Sequence, residues 1–196
     1  SAIEHALWDL AGKAAGLPVH KLLGGKVRDR VRVYNGALRE RMTSFTPADY
    51  AENTRKMKER PEGFTIVKQA IAFHTPMKRI PDFYYGEPAT SPFHGALDRG
   101  LLTERGLKHI VDCVAAMKEV LGDEIGLALD CGPGFTVQDA IRLSRALEKF
   151  NLLWLEDMLT GDYIPYVNAD VYREVTRVAR TPIHTGEQIY LRQNFK

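Results

Sequence analysis

From Val31 onward the chain repeats one pattern: a short β-branched or apolar run followed by a segment of helical periodicity. Five such runs are predicted as strands, at about 31–35, 65–72, 125–131, 152–157 and 182–187. Strands separated by a helix-length connection run parallel, because only a crossover returns the chain to the same end of a sheet. The predicted class is therefore α/β, a TIM-type (β/α) barrel. A full barrel takes around 250 residues, so the five strands here would form an incomplete one with an open edge; the chain is read as part of a longer polypeptide, the alternative being a truncated product that covers the edge by association.

The segments between the runs supply the faces that cover such a sheet. Thr46-Pro47-Ala48-Asp49 offers an N-cap, a proline at the first helical position and an acid in the first turn, which predicts a helix to about Glu59. Leu107, Ile110, Val111, Val114 and Leu121 form one apolar stripe, and Val137, Ala140, Ile141 and Leu147 form another. Val171, Val175 and Val178 mark a weaker third. Ahead of all of these, Ile3, Ala6, Leu7, Leu10 and Ala14 predict an amphipathic helix whose narrow face needs a partner surface.

Two stretches interrupt the rhythm: 74–100, rich in Pro, Gly and aromatics, and 159–169. Both follow the C-terminal ends of strands, the face where such barrels assemble active sites, and loops of this length are commonly lids.

Asp130, Glu156 and Glu187 each end an apolar run, about 30 residues apart, one per βα unit. Adjacent strands lie about 4.8 Å apart, so three carboxylates at one height converge and repel. A hard divalent cation removes that repulsion, and oxygen-only ligation selects Mg²⁺. The bland alternative for any one of them is an acid capping the next helix. Period-2 alternation puts Asp130 on one face with Ala128 and Gly126, while Leu127 and Leu129 point toward helices. Lys68 shares its face with Ile66 and Ala70, which directs its ammonium into the barrel near Asp130; the alternative is an outward lysine passing a helix. His184 is expected to face the helices by the same count from Glu187.

Composition narrows the function classes. Lys plus Arg total 27 against 25 for Asp plus Glu, a net charge of +2 without a run of one sign, which argues against a nucleic-acid partner. No stretch approaches the roughly 20 apolar residues of a membrane span, so a cytoplasmic protein without a membrane partner is expected. Cys113 and Cys131 lack metal-ligand spacing and are read as reduced thiols.

Several blocks resemble one family in order. Ala2-Ile3-Glu4-His5-Ala6-Leu7-Trp8-Asp9-Leu10-Ala11-Gly12-Lys13, Gly16-Leu17-Pro18-Val19 and Lys21-Leu22-Leu23-Gly24-Gly25 resemble the final capping-domain helix and lead into the barrel of the enolase superfamily, specifically its mandelate racemase and muconate-lactonizing-enzyme-like group. The resemblance implies that residues 1–28 end an α+β N-terminal capping domain and residues 29–196 form a partial (β/α) barrel with a lid-like insertion at about 74–100. It assigns Asp130, Glu156 and Glu187 as Mg²⁺ ligands. It further implies a Mg²⁺-dependent lyase that abstracts a proton α to a carboxylate through an enediolate, with a small-molecule sugar acid as substrate and a homo-oligomeric assembly. A dehydratase is the expected activity, a racemase or epimerase the alternative, and a noncatalytic metal-binding fragment the reading from another class.

Departures from the family pattern matter equally. Lys68 matches the first lysine of the group's Lys-x-Lys pair, which helps polarise the substrate carboxylate, but Ala70 replaces the second, which serves as base. Asp130-Cys131-Gly132 lacks the histidine that some acid-sugar dehydratases place two residues after the first ligand. The expected base is then a His-Asp dyad on later strands, beyond Lys196. Within the chain, His74 is the candidate catalytic partner of Lys68, with Tyr84 and Tyr85 as further residues able to reach the site from the lid.

Overall fold

The computed structural model describes residues 2–86, 101–159, 169–187, 189 and 192. The backbone divides into two units, Ser1–Val33 and Tyr34–Lys196. In the first, α1 (Ala2–Ala15) turns into the short α2 (Val19–Leu22). The Leu17 N–H donates to the Gly12 carbonyl at 2.9 Å, and residue 12 is glycine because a Cβ there would lie 2.8 Å from the Leu17 oxygen. Ile3, Leu7 and Leu10 on α1 are exposed.

The second unit opens with a loop and α3 (Pro47–Lys58), whose start has the predicted chemistry: the Thr46 hydroxyl accepts from the Asp49 N–H, and the Asp49 carboxylate accepts from the Thr46 N–H. There follow β1 (Ile66–Ala70), two 3₁₀ turns (Ala72–His74 and Pro76–Arg79), and β2 (Tyr84–Tyr85) paired antiparallel with β3 (Leu101–Leu102). Then come α4 (Glu104–Leu121), β4 (Gly126–Asp130), α5 (Val137–Leu147), β5 (Leu155–Glu156), α6 (Ala169–Thr176) and β6 (Ile183–His184). β1, β4, β5 and β6 form one parallel sheet in that order. This is the α/β sheet that the repeating pattern predicts.

The first predicted strand, 31–35, is corrected. Only Asn35 joins the ladder, donating to the Ile66 carbonyl and accepting from the Lys68 N–H. Val31 and Val33 are exposed, so they gain neither burial nor backbone pairing as strand residues. The last two strands are shorter than predicted for a related reason: β5 keeps only Leu155 and Glu156, which pair with β4 and β6, and β6 keeps only Ile183 and His184, which pair with β5.

The core lies between the sheet and its helices. Val67, Leu127, Leu129 and Leu155 point from the strands toward Met57 on α3, toward Ile110, Cys113, Val114, Met117 and Leu121 on α4, and toward Ala140, Leu143 and Leu147 on α5. The long segment after β1 is anchored by aromatics. Phe73 packs edge-on against Phe135 at 4.8 Å and Phe83 at 6.0 Å, with Tyr84 also at 6.0 Å. Beyond it, the buried Asp139 carboxylate accepts from the Leu102 N–H at 2.8 Å and from Arg142, tying β3 to the start of α5. Residues 87–100 of the predicted lid and most of 159–169 fall outside the described residues. Among the described residues no helix is long and apolar enough to cross a membrane.

Tyr50 joins α3 to the end of β1. Its fully buried hydroxyl donates to the Ala70 carbonyl at 2.9 Å. Burial pushes the phenol well above its ordinary value, so it remains a donor at all working pH. Tyr50→Phe is expected to cost about 1–2 kcal/mol; urea unfolding checks this, and an unchanged midpoint would refute it.

Candidate metal centre

Strand register places one row of side chains along the C-terminal edge of the sheet. Ala70 pairs with Asp130, Asp130 with Glu156, and Glu156 with His184. Residues in register on parallel strands point to the same face. The row therefore carries a methyl, two carboxylates and an imidazole, all on the side away from the helices.

Asp130 and Glu156 meet as their positions predict. The third carboxylate beside them is Asp157: one oxygen from each of Asp130, Glu156 and Asp157 lies within 4.8 Å of the others. Alternation would send Asp157 to the opposite face from Glu156. Its φ of +49° breaks the strand there, and its N–H still donates to the His184 carbonyl at 3.0 Å. Glu187 is exposed and lines a cavity of about 440 Å³ with Tyr34, Glu156, Asp157, Ile183, His184 and Thr185.

Lys68 enters from β1, on the same face two residues before Ala70. Its ammonium lies 3.2 Å from Asp130 Oδ2 and bonds to Glu156 Oε1, so the inward orientation holds. Burial alone would lower this amine, but the hydrogen bond to Glu156 and the charges of Asp130 and Glu156 outweigh it and hold the amine above the ordinary lysine value. A raised amine stabilises the fold fully below the ordinary lysine range and loses that contribution only as pH rises beyond it. Lys68 is thus charged at neutral pH.

His74 reaches one of these carboxylates, with Nδ1 at 3.3 Å from Asp130 Oδ1. Its position depends on Gly132, where a Cβ would lie 2.4 Å from the His74 backbone nitrogen. The Trp154 indole N–H donates to Glu156 Oε2 at 2.8 Å. The indole stacks on His184 at 4.8 Å and 15°, and Tyr34 meets it edge-on at 5.3 Å. His184 therefore stands on the carboxylate side of the sheet, which corrects the expectation that it faces the helices. Tyr84 is buried against Phe73 and Tyr85 is exposed.

The donor set suits a hard divalent cation. With all three carboxyls ionised, one ammonium leaves two negative charges over. Asp130 Oδ1 is buried without a hydrogen-bond partner among the described residues, and His74 Nδ1 at 3.3 Å is a charge partner only when the imidazole is protonated. A buried carboxylate oxygen left in that state is costly unless a cation takes it. Burial drives the adjacent Cys131 thiol well above its ordinary value, so it stays protonated and offers no thiolate to compete with the three carboxylates.

Comparisons with known proteins identify the family. Residues 49–196 match the enolase C-terminal domain-like family, and residues 1–24 match the mandelate racemase / muconate lactonizing enzyme N-terminal domain. The chain is 34% identical over 194 residues to a D-xylonate dehydratase of Haloferax volcanii, covering 97% of this chain and 40% of that protein. It is 32% identical over 193 residues to a D-mannonate dehydratase of Caulobacter sp., covering 95% and 44%. A mandelate racemase/muconate lactonizing enzyme-like protein from Rubrobacter xylanophilus superposes with a TM-score of 0.71 at 32% identity, covering 96% of this chain and 45% of that one. The chain thus spans less than half the length of these relatives. Membership of this family implies a divalent metal, for which the three acids are the candidate ligands. Matched along most of its length and carrying the acidic strand ends of an α/β barrel, the chain belongs to the enolase superfamily, in its mandelate racemase and muconate lactonizing enzyme group.

Proposed function

We propose that this chain supplies the Mg²⁺ centre and the carboxylate-binding lysine of a sugar-acid dehydratase, which removes the proton α to a carboxylate and then eliminates a hydroxyl. The observation that carries this reading is the convergence of Asp130, Glu156 and Asp157 within 4.8 Å, with the Lys68 ammonium held by the first two. The names of the relatives, D-xylonate and D-mannonate dehydratase, support the substrate class.

Asp130 and Glu156 would hold the ion, with Asp157 or Glu187 as the third acid. Asp157 is the one drawn into the group, while Glu187 borders the cavity that Glu156 and Asp157 line. When bound, the ion supplies positive charge to the substrate carboxylate, which makes the α-proton more acidic. Lys68 adds a second positive charge at the same carboxylate and orients it, because its amine is fixed by two acids rather than free to rotate. His74, held beside Asp130, delivers a proton to the departing hydroxyl. Ala70, next to Asp130 in register, carries no group able to take the α-proton, so the acceptor is a base other than these residues, the His-Asp dyad that the family resemblance implies.

Protein carrying this chain is expected to convert a sugar acid such as xylonate, gluconate, galactonate or mannonate to a 2-keto-3-deoxy acid only when Mg²⁺ is present. Formation of the keto acid can be read as its semicarbazone. Absence of product across the panel with Mg²⁺ bound would overturn the reading.

A further inference from the structure

We infer that Trp154 is the positioning residue of the metal centre: its indole N–H fixes one oxygen of Glu156, so that the other is presented to Lys68. The inference rests on the metal-centre reading above and concerns how this chain prepares one of its acids.

A glutamate carboxylate turns about a broad, nearly two-fold terminal torsion, so its orientation has to be imposed by a partner. Here the two oxygens are divided between two donors of different kind. Oε1 is held by the Lys68 ammonium, and Oε2 by Trp154 at 2.8 Å. The indole N–H is a neutral donor that cannot accept. It therefore fixes the carboxylate without cancelling the charge that a cation would need, which a second lysine at this place would do.

The indole is itself held. Trp154 lies two residues before Glu156 and so shares its face. Its ring is stacked on His184 at 4.8 Å and met edge-on by Tyr34 at 5.3 Å. Because His184 is the register partner of Glu156, the stack rises from the same row as the acid that it serves. Partners that orient a ligating group typically contribute 10–100-fold to metal affinity.

Trp154→Phe keeps a ring for the stack and removes the donor. It is expected to weaken Mn²⁺ binding roughly tenfold by calorimetric titration, with far-UV circular dichroism unchanged. The chain has two tryptophans, Trp8 and Trp154. In Trp8→Phe the remaining emission reports on Trp154 alone, and it is expected to shift on saturation with Mg²⁺ and to return on chelation. A Trp154→Phe chain that binds Mn²⁺ as tightly as the parent overturns the inference and leaves the metal centre standing. If that variant does not fold, an emission in Trp8→Phe that ignores saturating Mg²⁺ overturns it equally. A parent chain that binds neither ion removes the metal centre and the inference together.

Discussion

Asp130→Asn is expected to bind divalent cations about a hundredfold more weakly than the parent chain. The substitution keeps size and shape but removes one of the three charges that meet within 4.8 Å. Loss of an outer partner of a ligand already costs roughly 10–100-fold, so loss of a ligand's own charge belongs at the top of that range or beyond it. Stability should move the other way or scarcely at all. Asp130 Oδ1 lacks a hydrogen-bond partner among the described residues, and Lys68 keeps Glu156 when Asp130 is neutral. The metal-free variant should thus melt within about 4 °C of the parent, which corresponds to about 1 kcal/mol for a chain of this size. Mn²⁺ titration and a thermal scan in chelator separate the two quantities. Undiminished affinity would show that the carboxylates gather for some purpose other than a metal. A collapse of the metal-free fold would show that Asp130 is chiefly structural.

Most of this centre could be read from residue patterns, because it is built on strands whose alternation is set by burial. Leu127 and Leu129 had to enter the core, which left Asp130 on the other face; the same count placed Lys68 inward. Helix starts were equally legible where a side chain closes the cap, as at Thr46 and Asp49. α5 shows the limit of a stripe: Leu143, missing from the predicted apolar set, is buried, while Val137 and Ile141 are only partly covered.

The misreadings occur where backbone geometry departs from alternation. Asp157 reaches the acids because its φ is +49°, and no pattern of apolar residues announces that. Counting back from Glu187 turns His184 toward the helices, but the count crosses Gly186, whose φ of +109° resets it. Register across the sheet, invisible in one sequence, is what puts His184 beside Glu156. Trp154 goes unnamed among the predicted site residues, although the Trp-x-Glu spacing at the strand end puts an indole donor on the same face as the acid.

Gly132→Ala is expected to destabilise the chain by about 3 kcal/mol or more and to displace His74 from Asp130. Two costs combine at this position. The backbone has φ of +66°, where a side chain costs roughly 1–2 kcal/mol. A Cβ would also lie 2.4 Å from the His74 nitrogen and 2.6 Å from its Cα, and these are main-chain atoms that cannot swing aside. His74 follows Phe73, whose buried ring is packed against Phe135, and its N–H donates to the Cys131 carbonyl at 3.0 Å, so the segment cannot retreat cheaply. Gly63 provides the control, having the same φ of +66° and no atom within 4 Å of its would-be Cβ. Gly63→Ala should therefore cost only the backbone part, roughly 1–2 kcal/mol, and the difference between the two variants in urea unfolding isolates the clash. Equal losses at the two sites would mean that the loop carrying His74 yields freely. In that case the approach of His74 to Asp130 would not be enforced by packing, and its part in proton delivery would lose its structural basis.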